Sequence, residues 1–121
     1  MVIAVKYKIV CIKTPFVELV NTYPTLISDI YQEQNNMYKT KQIELMFSKM
    51  ISEKEKLLHN IQERENYSYY HGVHQLKNPI THEKIFISMN EYDLDVEEEG
   101  NHHYIFDMIS TFSKNFYMIL K

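Results

Sequence analysis

Cysteine is nearly absent: Cys11 is the only one in 121 residues, so no disulfide can close within the chain and a reducing, cytoplasmic setting fits best. It lies in an apolar run with only Lys13 as an electropositive neighbour, the setting of a buried structural thiol rather than a reactive one. Glycine occurs twice and tryptophan not at all, while Lys, Asn, Ile and Tyr abound; this reflects AT-rich coding and says nothing about mechanism. No apolar run approaches the roughly 20 residues that span a bilayer, and the first residues lack the basic region, apolar core and cleavage site of a secretory leader. The expectation is a protein with no membrane partner. Neither sign of charge dominates, since 13 basic and 16 acidic residues are interspersed for a net −3. That excludes the basic stripe of a phosphate-tracking surface, so no direct nucleic-acid partner is expected. Also missing is any nucleophile, base and orienting group at a recognisable spacing, which points to a surface that binds rather than a pocket that reacts.

What is present reads as one α+β domain over residues 1–121, with a small, mainly antiparallel sheet packed against helices. A chain of this length buries roughly two-thirds of the surface it exposes when unfolded, and it needs no staples. Val2 to Ile12 is rich in β-branched residues, with Lys6 and Lys8 on one face, and predicts a strand. Thr14-Pro15 then supplies a cap and a first-turn proline for a helix, which Pro24 breaks near Thr22 and Tyr23. Gln32 to Met37 is a polar connection. From Tyr38 or Lys39 an apolar stripe runs through Ile43, Met46, Phe47, Met50 and Ile51, and Ser52 with Glu55 has capping-box spacing for a second helix through Leu57, Leu58 and Ile61.

From Asn66 the period changes to two. Tyr67 to Val73 reads as one strand, Lys77 to Thr81 as a loop, and Lys84 to Met89 with Tyr92 to Val96 as a hairpin turning near Asn90-Glu91. Tyr92, Leu94 and Val96 alternate with Asp93, Asp95 and Glu97, putting one arm face on the core and one in water. The closing GNHHYIFDMISTFSKNFYMILK holds a stripe of Tyr104, Ile105, Met108, Ile109 and Phe112 on a helix, then Phe116 to Leu120 as an apolar run fit for a buried strand. The order is β-α-α-α-β-β-β-α-β.

Four features invite a chemical reading. His71 and His74 have the i, i+3 spacing of some metal pairs, yet on a strand or turn they face opposite sides and no third ligand accompanies them. His102 and His103 diverge at the start of a helix, where a solvated first turn is expected. The acidic run Asp93 to Glu99 lacks the oxygen-ligand periodicity and central glycine of a calcium loop and reads as a solvated edge. Tyr67, Tyr69 and Tyr70 could stack on bases, but no basic groove surrounds them and a strand's alternate positions account for them. No cofactor and no metal ligand set is assigned.

The segment order resembles the Bacillus-type sporulation inhibitor of replication family, SirA, over most of the chain. FDMISTFSKNFYMI is similar to that family's closing pattern of Phe, acidic, two apolar, a short polar stretch, then Phe and apolar residues. IFISMNEYDLDVEEEG resembles its hairpin leading to a glycine before the last helix, KTPFVELV its aromatic first-helix start, and KQIELM its Lys-Gln-Ile block. The resemblance implies a protein without enzymatic activity that binds the N-terminal domain of the replication initiator DnaA and blocks assembly at the origin. The family's contacts, a phenylalanine, a tyrosine one turn later and a glutamine, fall by position on Phe16, Val20 and Gln42. Val20 replaces the tyrosine, and NTYPTL stands where the family has an aromatic-Gly-Arg-Glu stretch. That change admits a second reading, a phage or mobile-element protein that uses the same scaffold against a different host protein. From the residues alone, Phe16 is either a core staple or an exposed anchor, and Gln42 lies off the apolar stripe and should be exposed.

Overall fold

The β-branched alternation at the start of the chain makes the strand on which the rest is built. The computed structural model describes residues 3–32 and 37–121; the expected strand start at Val2 and most of the Gln32 to Met37 connection lie outside them. β1 (Ala4–Cys11) leads into a 3₁₀ turn (Thr14–Phe16), then α1 (Val17–Thr22), α2 (Leu26–Gln32), α3 (Met37–Met46) and α4 (Ile51–Gln62). β2 (Tyr67–Tyr70), β3 (Val73–Lys77), β4 (Lys84–Met89), β5 (Asp93–Glu99), α5 (Tyr104–Ile109) and β6 (Phe116–Leu120) follow. The fold is α+β, with a six-stranded antiparallel sheet in the order β2-β3-β4-β5-β1-β6.

Successive side chains on a strand point to opposite faces, so β1 supplies two cores. Tyr7 and Ile9 join Leu94, Val96, Ile87 and Leu76 under α4 and α5, whose Leu57, Ile61, Ile105 and Ile109 complete the first cluster. Val10 and Ile12 face the other way and pack with Val20, Ile27, Ile30, Met46 and Phe47 of the α1–α3 side. The sheet is therefore sandwiched only partly. Helices α1 to α3 cover the end of the second face near β1 and β6, leaving a shallow depression lined by Lys6, Val73, Phe86, Ser88 and Glu97.

The helix break at Tyr23-Pro24 occurs as expected. The first helix starts differently: Lys13 is the cap residue, without a side-chain cap bond, and Thr14-Pro15 opens a 3₁₀ turn. The long middle stripe divides into two helices, as expected, but not at Ser52. α3 ends at Met46 because Phe47 leaves the helix to bridge Ile12, and Met50, in the left-handed region at φ 53°, starts α4 with no side-chain cap bond. Tertiary pairing with β1 overrides the local capping signal. Tyr67 to Val73 is not one strand either: His71 and Gly72, at φ 49° and 79°, form a two-residue turn joining β2 to β3. Two positive φ values in succession match the right-handed twist of paired strands, which is why Gly is there. β6 is an edge strand with half-buried residues rather than a buried one, since among the described residues β1 is its only neighbouring strand.

The acidic strand is the largest departure from expectation. Asp93 to Glu99 forms β5, which lies inside the sheet between β4 and β1 rather than at a solvated edge. Lysines make this tolerable: in register, Lys6 faces Glu97 and Lys8 faces Asp95. Lys8 Nζ sits 3.3 Å from Asp93 and 3.0 Å from Asp95, and Lys121 also pairs with Asp95. Asp93 is buried beneath α2, where Tyr31 Oη donates to it at 2.8 Å.

Candidate protein-binding surface

The surface carrying the sequence-derived candidates is assembled where β1 ends. Lys13 N–H donates to Met46 O at 2.8 Å, Ser48 N–H to Cys11 O at 2.8 Å, and Lys13 Nζ to Glu44 O at 3.1 Å, stapling the 3₁₀ turn to the end of α3. Phe16 and Gln42 are thereby carried on neighbouring elements. Phe16 is half-buried and packs on the second core cluster, so it serves as a staple while keeping part of its ring at the surface. Gln42, expected exposed, is half-buried.

Val20 requires a correction. It is 3 % exposed and belongs to the core beneath α1 and α2, so its side chain offers nothing to a partner in this conformation. Helical geometry explains why: with Phe16 and Val17 turned toward the sheet, the residue three to four positions on faces inward too. Exposed instead are Leu19 on α1 and Tyr23, the residue that caps its end, four residues apart.

α3 shows what sequence reasoning missed. Ile43 and Met46 turn toward the second core, yet Tyr38 and Leu45 are 63 % and 60 % exposed, with Met37 beside them. The helix is apolar on two sides, and only one side is covered. Tyr38, Lys41 and Leu45 recur at i, i+3 and i+7, a single outward stripe, and Gln42 borders it at i+4 from Tyr38 and i−3 from Leu45. The signal was in the sequence, since Tyr38 and Leu45 lie off the Ile43–Met46 stripe.

A second concavity lies across the molecule. A cleft of about 550 Å³ has an apolar floor of Leu76, Ile85, Ile105 and Met108 and a rim carrying Arg64, Glu83, His102 and Asp107. Its wall is held by Glu98, fully buried and overlooked in the sequence although it continues the inward alternation of Leu94 and Val96. The Glu98 carboxylate accepts from Tyr7 Oη, from Tyr104 N–H at 2.9 Å and from Ile105 N–H at 3.1 Å, while Phe106 N–H donates to Tyr7 Oη at 3.3 Å. Glu98 and Tyr7 thus satisfy the first three amides of α5, placing a carboxylate at the positive end of the helix. Burial, with the carboxylate beside it, holds the Tyr7 hydroxyl protonated far above the usual tyrosine range.

The histidines lie in separate settings, and His102 and His103 are half-buried rather than solvated. His71 lies in the β2–β3 turn against the Tyr70 ring, while His74 packs between Tyr67 and Tyr69, bonded to Tyr67 Oη at 2.8 Å. Burial lowers the His74 pKa below its ordinary value. His102 stacks on Tyr104 and His103 tilts against Tyr7. Among the described residues no three His, Cys, Asp or Glu side chains converge into a metal-binding group. Cys11 is buried, and burial, with the charge of Glu53, pushes its thiol up to about 11, so it is held as the unreactive thiol. No helix among the described residues is long and apolar enough to cross a membrane. Comparison with known protein families gives no match to this chain, and comparison with curated proteins gives none either.

Proposed function

We propose that this chain is a non-enzymatic inhibitor of DNA replication initiation, which binds the N-terminal domain of DnaA and blocks its assembly at the origin. The observation that carries the binding half of this reading is the uncovered apolar stripe of α3, Tyr38 and Leu45 with Gln42 alongside. Exposed aromatic and aliphatic side chains projecting from a rigid helix are the usual anchors of a helix-in-groove contact. The identity of the partner rests on the resemblance to the SirA family. Phe16 and Gln42 keep the residue types of that family's contact positions, and with Val20 in the core the third contact falls to exposed Leu19 on α1 or Tyr23 at its end.

Titration calorimetry against the purified DnaA N-terminal domain tests the reading. Gln42→Ala and Leu45→Ser are expected to weaken binding thirtyfold or more each, the loss of about 2 kcal/mol that truncating an anchor produces, with unchanged thermal melts. Phe16→Ala is expected to do the same with some loss of stability, because its ring also packs on the core. Absence of binding by the unaltered chain sinks the DnaA assignment. The burial of Val20 favours the second reading, a phage or mobile-element protein acting on a different host protein through the same α1–α3 surface. Capture from a host lysate of a protein other than DnaA, lost on Leu45→Ser, would establish it.

A further inference from the structure

The backbone of β6 exposes a self-complementary edge. Ile12 N–H donates to Asn115 O at 2.9 Å and Lys121 N–H to Lys6 O at 3.1 Å, which identifies the hydrogen-bonded pairs of the β1–β6 ladder as 6 with 121 and 12 with 115. Antiparallel ladders alternate, so Ile119 and Tyr117 also bond inward to Lys8 and Val10. The N–H and C=O groups of Phe116, Met118 and Leu120 therefore point away from the sheet, and among the described residues β1 is the only strand beside β6.

Proteins ordinarily blunt such an edge with a charge, a proline, a bulge or a covering element. β6, reading FYMIL, has neither charge nor proline, and all its residues but one are half-buried on the two cores. The exception is Leu120, 68 % exposed at the end of the strand. The opposite edge, β2, is shorter.

We infer that β6 pairs antiparallel with β6 of a second copy of this chain, joining the two sheets across a two-fold axis. Centred on Met118, the pairing sets Met118 against Met118 and Phe116 against Leu120 of the other copy. All three outward residues then fall in mutually bonded positions, each pair exchanging two hydrogen bonds. The side chains agree with the backbone. On one face Leu120 is covered by the other copy's Phe116, and on the other face Tyr117 meets Ile119. Lys121 lies opposite Asn115 in this register, so no like charges face each other. Any other occupant would need a matching apolar strand, whereas a second copy brings one in register through symmetry.

Sedimentation of the full chain over a range of micromolar concentrations, with amide hydrogen exchange at the two extremes, tests this. The expected result is a concentration-dependent dimer in which the Phe116, Met118 and Leu120 amides become protected. The Tyr117 and Ile119 amides, bonded to β1, stay protected at both extremes. Leu120→Lys leaves the protomer fold untouched, since the side chain is exposed, and should raise the dimer dissociation constant about tenfold by removing both Phe116–Leu120 pairs. Met118→Pro deletes an outward N–H that the β1 ladder does not use, and should give a folded monomer. A chain that stays monomeric overturns the proposal, as does a dimer in which those three amides still exchange fast.

Discussion

Glu98 shows how one side chain holds an element in place. A buried carboxylate persists only when its lone pairs are filled, and here Tyr7 Oη and two amides of α5 fill them. Removing it leaves three donors without acceptors under the first core. Glu98→Ala is therefore expected to destabilise by on the order of 3–5 kcal/mol, more than Tyr7→Phe, which removes one donor to the carboxylate and one acceptor for Phe106, at about 1–3 kcal/mol. Denaturant melts of the two variants check the order; equal and small losses would mean that α5 is held by Ile105 and Ile109 packing alone.

Among the elements, the β2–β3 hairpin depends on backbone conformation rather than contacts. Gly72 has φ 79°, and a Cβ there would meet nothing within 4 Å, so any cost of Gly72→Ala is conformational. A loss of about 1–2 kcal/mol is expected, confined to the hairpin and visible as faster amide exchange in β2 and β3 with α4 and β5 unchanged. Gly100 differs. A Cβ there would collide with the Glu83 carboxylate, so substitution also displaces that group at the rim of the 550 Å³ cleft. α4 is tied to the β4–β5 turn, with Lys54 Nζ donating to the carbonyls of Asn90 and Glu91. The break between α3 and α4 follows from β1, because Ser48 N–H donates to Cys11 O and Met46 O accepts from Lys13 N–H on either side of the Ile12–Phe47 pair.

For the whole molecule, the buried hydroxyls and the thiol make stability pH-dependent on the alkaline side. Burial and the neighbouring carboxylates, Glu98 and Asp93, raise Tyr7 and Tyr31 above the ordinary 10.0, and burial raises Cys11 from 9.0 to about 11. Each group keeps its proton in the folded state where the unfolded chain has lost it, so the unfolded state binds fewer protons and stability falls as pH rises. The decline should begin near pH 9 with Cys11 and steepen above pH 10 with the tyrosines. Urea melts from pH 8 to 11 check it, and Tyr31→Phe should flatten the upper part of the slope. A flat profile would mean that these groups are hydrated in the native state.

Composition and periodicity determined much of this protein: one α+β domain, the order of its segments along the chain apart from the β2–β3 hairpin, the helix break at Pro24, and the buried thiol of Cys11. Those features depend on neighbours in sequence, through steric limits on φ and ψ and through the repeat that separates core-facing from outward side chains. Tertiary structure decided the rest. An acidic run reads as solvated until Lys6, Lys8, Tyr7 and the amides of α5 are brought to it from the far ends of the chain. α3 reads as a helix with one apolar stripe until the sheet takes Ile43 and Met46 and leaves Tyr38 and Leu45 in water. Val20, matched by position to a contact residue, became core because it packs in the cluster with Val10 and Ile12 of the sheet's second face, beside Tyr117 and Ile119, a packing choice that no local spacing encodes.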